Sequence, residues 1–198
     1  MRILLIGNGA REHAIAWKLK QNPDVELYNV ASANNPGLIE LCKEIYKDTG
    51  DFGFEYAKKI KPDLVWVGPE LPLQAGIVNK LHKLEIKCVG PTSELARLET
   101  SKTFTRELLV KNNIDACPAF KSFNSEVGLE DFVQSLDKFV VKPDGLTGGK
   151  GVRVQDDHFS NPEEGTEYAK ECILSDGRVL IEEKLIGQEF SLMSYADG

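Results

Sequence analysis

Along the first ninety positions, short apolar runs alternate with amphipathic stretches. The runs RILLIG, VELYNVAS, DLVWVG and IKCVG are rich in β-branched residues and end at glycine or a polar residue, at Gly7, Ser32, Gly68 and Gly90. Between them, the stretches Glu12 to Lys20, Phe54 to Lys61 and Gly76 to Leu84 have the amphipathic character of helices. This rhythm predicts a parallel sheet wrapped by helices, an α/β domain over residues 1–91. The unusual residues gather at the carboxyl ends of the strands, the edge along which open α/β sheets bind their ligands.

A helical stretch containing LETSKTFTRELLVKNN then spans Thr92 to Asn113, within a linker over residues 92–118. Beyond Ala119 the pattern changes. Shorter segments (PAFKSF, KFVVKP, GVRVQ, RVLIEEKL, EFSLMSYADG) surround two predicted helices, Glu126 to Leu136 and Glu163 to Leu174. Residues 119–198 therefore read as an α+β unit with antiparallel strands. Asp197-Gly198 after a strand is hairpin-turn chemistry, so a partner strand is expected to follow. The plainer alternative is a frayed edge strand at EFSLMSY.

Composition narrows the function. With 198 residues, 41% hydrophobic and 28% charged, the chain can bury a real core, and no apolar run approaches the roughly 18 residues of a membrane span. ILLIG is too short for a signal-peptide core, so a cytoplasmic location is expected. Cys42, Cys88, Cys117 and Cys172 form no CxxC pair and have no histidine at zinc-ligand spacing, which makes them packing residues. No metal ligands are assigned within the chain. A net charge of −7 argues against nucleic acid as partner, because such binding needs a basic face.

The strongest chemical signal is FVVKPDGLTGGKGV. A strand delivers Lys142, a loop with glycines at 145, 148, 149 and 151 follows, and a second strand begins at Val152. Glycines let backbone N–H groups approach phosphate oxygens, while Lys142 and Lys150 supply charge. The phosphate loop GxxxxGK[ST] does not fit, since Lys150 is followed by Gly151 and a strand instead of a hydroxyl residue and a helix. A glycine lid between two strands closing over a nucleotide fits better, against the alternative of an ordinary hairpin loop with solvated lysines. Lys102, at a predicted helix start, is a second candidate phosphate ligand, although alone it would read as a surface lysine. RVLIEEKL reads as a buried strand emitting Glu182 and Glu183 toward Leu185, with Glu189 beyond. Such a strand end suits an adenine amino group and a later carboxylate suits ribose hydroxyls; an acidic solvated loop is the alternative.

Near the amino terminus, Gly7-Asn8-Gly9-Ala10-Arg11-Glu12-His13 follows a strand and opens a helix, offering N–H groups to an anion. A dinucleotide site is disfavoured, because Glu12 replaces the third glycine of GxGxxG and the second strand ends at Ala31-Ser32 without an acidic residue. Glu12 and His13 read equally well as structural residues.

Taken together, Lys102, Lys142, the loop to Gly151, Glu182 and Glu189 resemble, in order, the nucleotide site of the ATP-grasp superfamily. GNGAREHA is similar to the GNGGREHA signature of the phosphoribosylamine-glycine ligase (glycinamide ribonucleotide synthetase) family. Asn35-Pro36-Gly37, Gly68-Pro69-Glu70-Leu71-Pro72-Leu73 and Gly90-Pro91-Thr92 agree with it over essentially the whole chain. The departures are Ala10, where glycine is usual, and Pro143, where alanine is common. The resemblance implies a Rossmann-like (pre-ATP-grasp) domain followed by a partial ATP-grasp unit with its lid subdomain. It implies ATP at Lys102, Lys142, Gly148, Gly149, Lys150 and Gly151, adenine at Glu182, Glu183 and Leu185, and ribose at Glu189, with Lys142 and Lys150 serving catalysis. It implies 5-phosphoribosylamine at Gly9, Ala10 and Arg11, with its ribose toward Glu70 and Pro72. Glycine is the other substrate, in a step of purine biosynthesis. Mg²⁺ (or Mn²⁺) is expected, with ligands beyond residue 198, so the chain reads as an amino-terminal part, inactive alone, that needs a carboxy-terminal half. Two other readings stay open: a non-catalytic nucleotide or phosphosugar binding module, and another ATP-grasp ligase or carboxylase.

Overall fold

The computed structural model describes residues 1–146, 148 and 150–192. The chain divides into two compact units, Met1–Ser101 and Lys102–Gly198.

The first unit carries β1 (Arg2–Ile6), α1 (Ala10–Leu19), β2 (Glu26–Ala31), α2 (Pro36–Leu41), β3 (Glu44–Lys47) and α3 (Phe54–Ile60). It continues through β4 (Leu64–Val67), α4 (Glu70–Gln74), α5 (Ile77–His82), β5 (Cys88–Val89) and α6 (Ser93–Thr100). The strands form one sheet in the order β3-β2-β1-β4-β5, and every pairing is parallel. Side chains alternate across a strand, so the two faces of β1 build two cores. Leu4 and Ile6 join Tyr56, Ala57, Val78 and Leu81 from α3 and α5, whereas Ile3 and Leu5 join Ala16 and Leu38 from α1 and α2. Burial on both faces explains why RILLI reads as a continuous apolar run rather than an alternating one. The strand order reverses between β1 and β4, which places the crevice of the sheet beside Gly7 and Gly68.

The second unit contains α7 (Lys102–Lys111), β6 (Phe120–Phe123), α8 (Leu129–Gln134), β7 (Phe139–Pro143), β8 (Arg153–Val154), α9 (Pro162–Asp176) and β9 (Val179–Glu183). Its sheet runs β6-β9-β7-β8 and is antiparallel throughout. One face, with Phe139, Val141, Val179 and Ile181, is covered by Leu129 and Val133 of α8 and by Ala169 and Cys172 of α9. The opposite face presents Val140, Lys142, Leu180 and Glu182, and there the chemistry lies.

The α/β reading and the antiparallel second unit are both borne out. The stretch Thr92 to Asn113 is two helices, because Ser101 takes an extended conformation (φ −136°, ψ 107°) between α6 and α7. The strand expected at EFSLMSY is not formed over residues 189–192, where no neighbouring strand supplies a ladder among the described residues. Residues 193–198, with the Asp197-Gly198 turn, lie outside the described residues. Among the described residues no helix is long and apolar enough to cross a membrane.

Candidate functional site

Two constellations stand out, one in each unit. In the first, β1 ends at Ile6 and the chain turns through Gly7, Asn8 and Gly9 into α1. Glu12, at the third helical position, reaches back and accepts the Gly9 N–H at 2.6 Å. Its carboxylate is buried and fills the space left by Gly7 and Gly68, where a Cβ on Gly68 would lie 2.2 Å from Glu12 Oε1. One side chain thus ties the loop after β1 to the loop after β4. Asn29, fully buried on β2, supports the same loop from below by donating its amide to Leu5 O at 2.9 Å and Gly7 O at 2.8 Å.

Arg11 and Glu70, predicted from distant motifs, meet in the structure: Arg11 Nη1 donates to Glu70 Oε1 at 3.0 Å. Glu70 is held below the usual carboxylate range by its own backbone N–H and by Arg11, and Glu70 in turn raises Arg11. The pair is largely exposed and contributes little to stability, so the charge of Arg11 stays accessible to an anion. A cleft of about 460 Å³ opens at these strand ends, lined by Gly9 and Pro72 among the predicted residues. Ala10 is exposed as the first residue of α1.

Sequence reasoning missed Asn8, Ser32 and Phe52, which line the same cleft. Asn8 Oδ1 accepts from Ser32 Oγ at 2.9 Å, and Asn35 Nδ2 donates to Asn8 O at 3.0 Å while its Oδ1 caps α2. The available signal was Asn35-Pro36, a helix cap followed by proline at the first helical position. The ring of His13, left open from sequence, occupies the space that a side chain at Gly37 would need, where a Cβ would come within 2.2 Å of it. The missing side chain of Gly37 is what makes room for the ring.

In the second unit, the antiparallel register sets Val140 opposite Glu182 and Lys142 opposite Leu180. Lys142 therefore sits diagonal to Glu182 on one sheet face, within reach of a long side chain. Lys142 Nζ donates to Glu182 Oε2 at 2.5 Å. Arg106, from α7, donates to Glu182 Oε1 through Nε at 2.6 Å and to Oε2 through Nη2 at 3.2 Å. Burial pushes the Glu182 carboxyl upward, but the hydrogen bonds from Arg106 and Lys142 outweigh it and hold the group below its ordinary value. Arg106 is raised by the same contact.

The glycine loop is anchored at both ends. Lys102 Nζ donates to Pro143 O at 3.1 Å and Gly145 O at 2.8 Å, and Thr103 N donates to Asp144 Oδ1 at 3.2 Å. At the far end Tyr168 donates its hydroxyl to Gly151 O at 2.7 Å, with the Arg153 guanidinium 3.6 Å from the centre of the Tyr168 ring. Gly145, Gly148 and Gly151 all take positive φ, which glycine adopts freely. Gly148 and Lys150 are exposed on the loop, and Gly149 lies outside the described residues. Of the predicted residues, the structure brings Lys102, Lys142 and Glu182 to the root of the loop. Glu183 ends β9, whereas Leu185 and Glu189 lie exposed beyond it. Arg106 was missed, because its partner lies 76 residues away along the chain.

The comparisons with known proteins follow the same division. Residues 1–99 match the family "Phosphoribosylglycinamide synthetase, N domain", and residues 100–198 match "Phosphoribosylglycinamide synthetase, ATP-grasp (A) domain". A phosphoribosylamine–glycine ligase of Methanocaldococcus jannaschii is 48% identical over all of this chain and 47% of its own length. One from Pyrococcus horikoshii is 44% identical over all of this chain and 46% of its own. The crystal structure of a phosphoribosylamine–glycine ligase from Thermotoga maritima superposes with a TM-score of 0.70 at 26% identity, covering 95% of this chain and 45% of that one. An ADP complex of an N5-carboxyaminoimidazole ribonucleotide synthetase, at 16% identity and TM-score 0.71, shares the fold over 93% of this chain and 47% of its own. The chain spans about half the length of the curated relatives it matches. With its strand-switch loop in the first unit and its lysine and glycine-loop strands in the second, the chain belongs to the phosphoribosylglycinamide synthetase family.

Proposed function

We propose that the chain is the amino-terminal part of a cytoplasmic, ATP-dependent ligase of purine biosynthesis that joins glycine to 5-phosphoribosylamine. The observation that carries this reading is the co-occurrence, in a member of this family, of an anion-suited loop at a strand switch point and a lysine and glycine-loop strand pair. In the division of labour we propose, residues 1–91 take phosphoribosylamine, with the phosphate at Gly9, Ala10 and Arg11 and the ribose toward Glu70 and Pro72. Residues 119–198 form the ATP lid, joined by the helical segment 92–118 that carries Lys102.

A free carboxylate is a poor electrophile, and ATP supplies the activation. A glycine carboxylate oxygen attacks the γ-phosphorus and ADP departs. The amine of phosphoribosylamine then attacks the carbonyl carbon of the glycyl phosphate, and phosphate leaves with the C–O bond electrons. Protein groups position the reactants and neutralise charge. Lys142 and Lys150 balance the phosphates, the N–H groups of Gly148, Gly149 and Gly151 cover them, and Lys102 holds the loop root from which it reaches the same charge. Glu182 and Glu183 with the Leu185 backbone take adenine, and Glu189 takes the ribose hydroxyls. A divalent ion such as Mg²⁺ (or Mn²⁺) would neutralise phosphate charge when bound. Among the described residues no cluster of three carboxylate, histidine or cysteine groups could hold it.

The half-length match favours one refinement, in which this chain binds substrates and turns them over only with the carboxy-terminal half present. Glycine- and phosphoribosylamine-dependent ADP release is assayed for the chain alone and with the remaining half of a relative added. Turnover only on addition supports the proposal with its refinement, no turnover on addition rejects the proposal, and turnover by the chain alone rejects the refinement. ATP consumption driven by bicarbonate instead of glycine would reject both.

A further inference from the structure

Glu182 is 2% exposed and is met by two cations, Arg106 and Lys142, of which only Lys142 stands on the strand that feeds the glycine loop. The two contacts differ in kind. Arg106 engages both carboxylate oxygens with its planar fork, at 2.6 and 3.2 Å, whereas Lys142 makes a single contact to Oε2. The lysine stem is flexible and the arginine fork is held in register. Arg106 also lies one helical turn beyond Lys102, so a single face of α7 holds both the loop root and the carboxylate.

We infer that Arg106 is a positioning residue: its fork keeps Glu182 neutralised when Lys142 exchanges that carboxylate for a nucleotide phosphate. This rests on the reading of Lys142 as a phosphate ligand. A buried carboxylate that loses its only counter-charge is strongly disfavoured. Were Lys142 the sole partner, moving its ammonium to a phosphate would strand Glu182, and that penalty would be subtracted from nucleotide affinity. With Arg106 in place both oxygens keep a donor throughout, and Lys142 is released at little cost. Arg106 then acts on the nucleotide only through Glu182, so removing the charge of Glu182 makes Arg106 dispensable.

Calorimetric titration of MgADP into the full chain and its variants tests this. Lys142→Met is expected to weaken MgADP. Arg106→Gln is expected to keep the circular dichroism of the parent, since Lys142 then neutralises Glu182, and to weaken MgADP by about tenfold or more. In the presence of Glu182→Gln, adding Arg106→Gln is expected to change affinity by less than about twofold. Equal losses from Arg106→Gln with and without Glu182→Gln would overturn the inference, because they would mean direct contact with the nucleotide or a general structural effect. An unchanged affinity in Arg106→Gln overturns it as well. If the parent chain takes no MgADP, or Lys142→Met binds it as tightly as the parent, the phosphate reading of Lys142 falls and the inference with it. Should Arg106→Gln not fold, Arg106→Lys serves: it keeps the charge without the fork, and parent-like affinity in it rejects the need for both contacts.

Discussion

A methyl group at Gly68 would overlap the Glu12 carboxylate, which is already packed between two loops. Gly68→Ala is therefore expected to destabilise the first unit by about 1–3 kcal/mol in denaturant unfolding, with part of the loss recovered by adding Glu12→Ala. Full additivity of the two would contradict the packing described. A second expectation concerns acid. The Glu182 carboxyl is depressed in the folded chain, so the stability it lends is present above its unfolded value near about 4.3 and disappears as pH falls through the lower folded value. Thermal melts between neutral pH and pH 3 should show a shallower acid decline for Glu182→Gln than for the parent; an identical slope argues against a depressed carboxyl. At this scale the sequence displayed the chemistry but not the contacts. GNGAREHA marked the loop, yet nothing local shows that Glu12 faces Gly68 or that His13 faces Gly37. Glycine records the need for space without naming the side chain that takes it.

The glycine loop behaves as an element with two fixed ends, one at α7 and one at Tyr168. Tyr168→Phe removes the hydroxyl that binds Gly151 O while keeping the ring under Arg153. It is expected to cost about 1 kcal/mol or less in global stability. Amide exchange should rise locally after Gly148 and not before Gly145, where Lys102 and Thr103 still hold; uniform acceleration across the loop would contradict separate anchors. The strongly patterned elements were legible: β1, β2, β4, β7, β9 and α9 stand where the hydrophobic runs put them. The missed α2 and α4 contain Pro36-Gly37 and Pro72, which read as turns, and β3 has no fully buried side chain to give an apolar run. The break between α6 and α7 left a trace, because Lys102 stands at the predicted helix start and Thr100 and Ser101 before it are weak helix formers.

On the scale of the molecule, each unit contains its own closed core, two layers of side chains around the parallel sheet and one under the antiparallel sheet. Residues 1–101 expressed alone are expected to melt in a single cooperative transition; a broad, non-cooperative loss of ellipticity would show that the parallel-sheet core needs the rest of the chain. The family was legible in the sequence at this scale because its motifs sit at the ends of strands, where local composition and ligand chemistry coincide. The ion triad was not, since folding alone brings α7, β7 and β9 together. All four thiols are free, but burial pushes Cys42 and Cys88 up to about 11 and raises Cys172, which leaves them poor nucleophiles at neutral pH. The remaining thiol, half-buried Cys117, adjoins the Arg106 guanidinium. A fluorophore coupled to Cys117 would stand beside that cation, and its emission would report on it without any engineered attachment point.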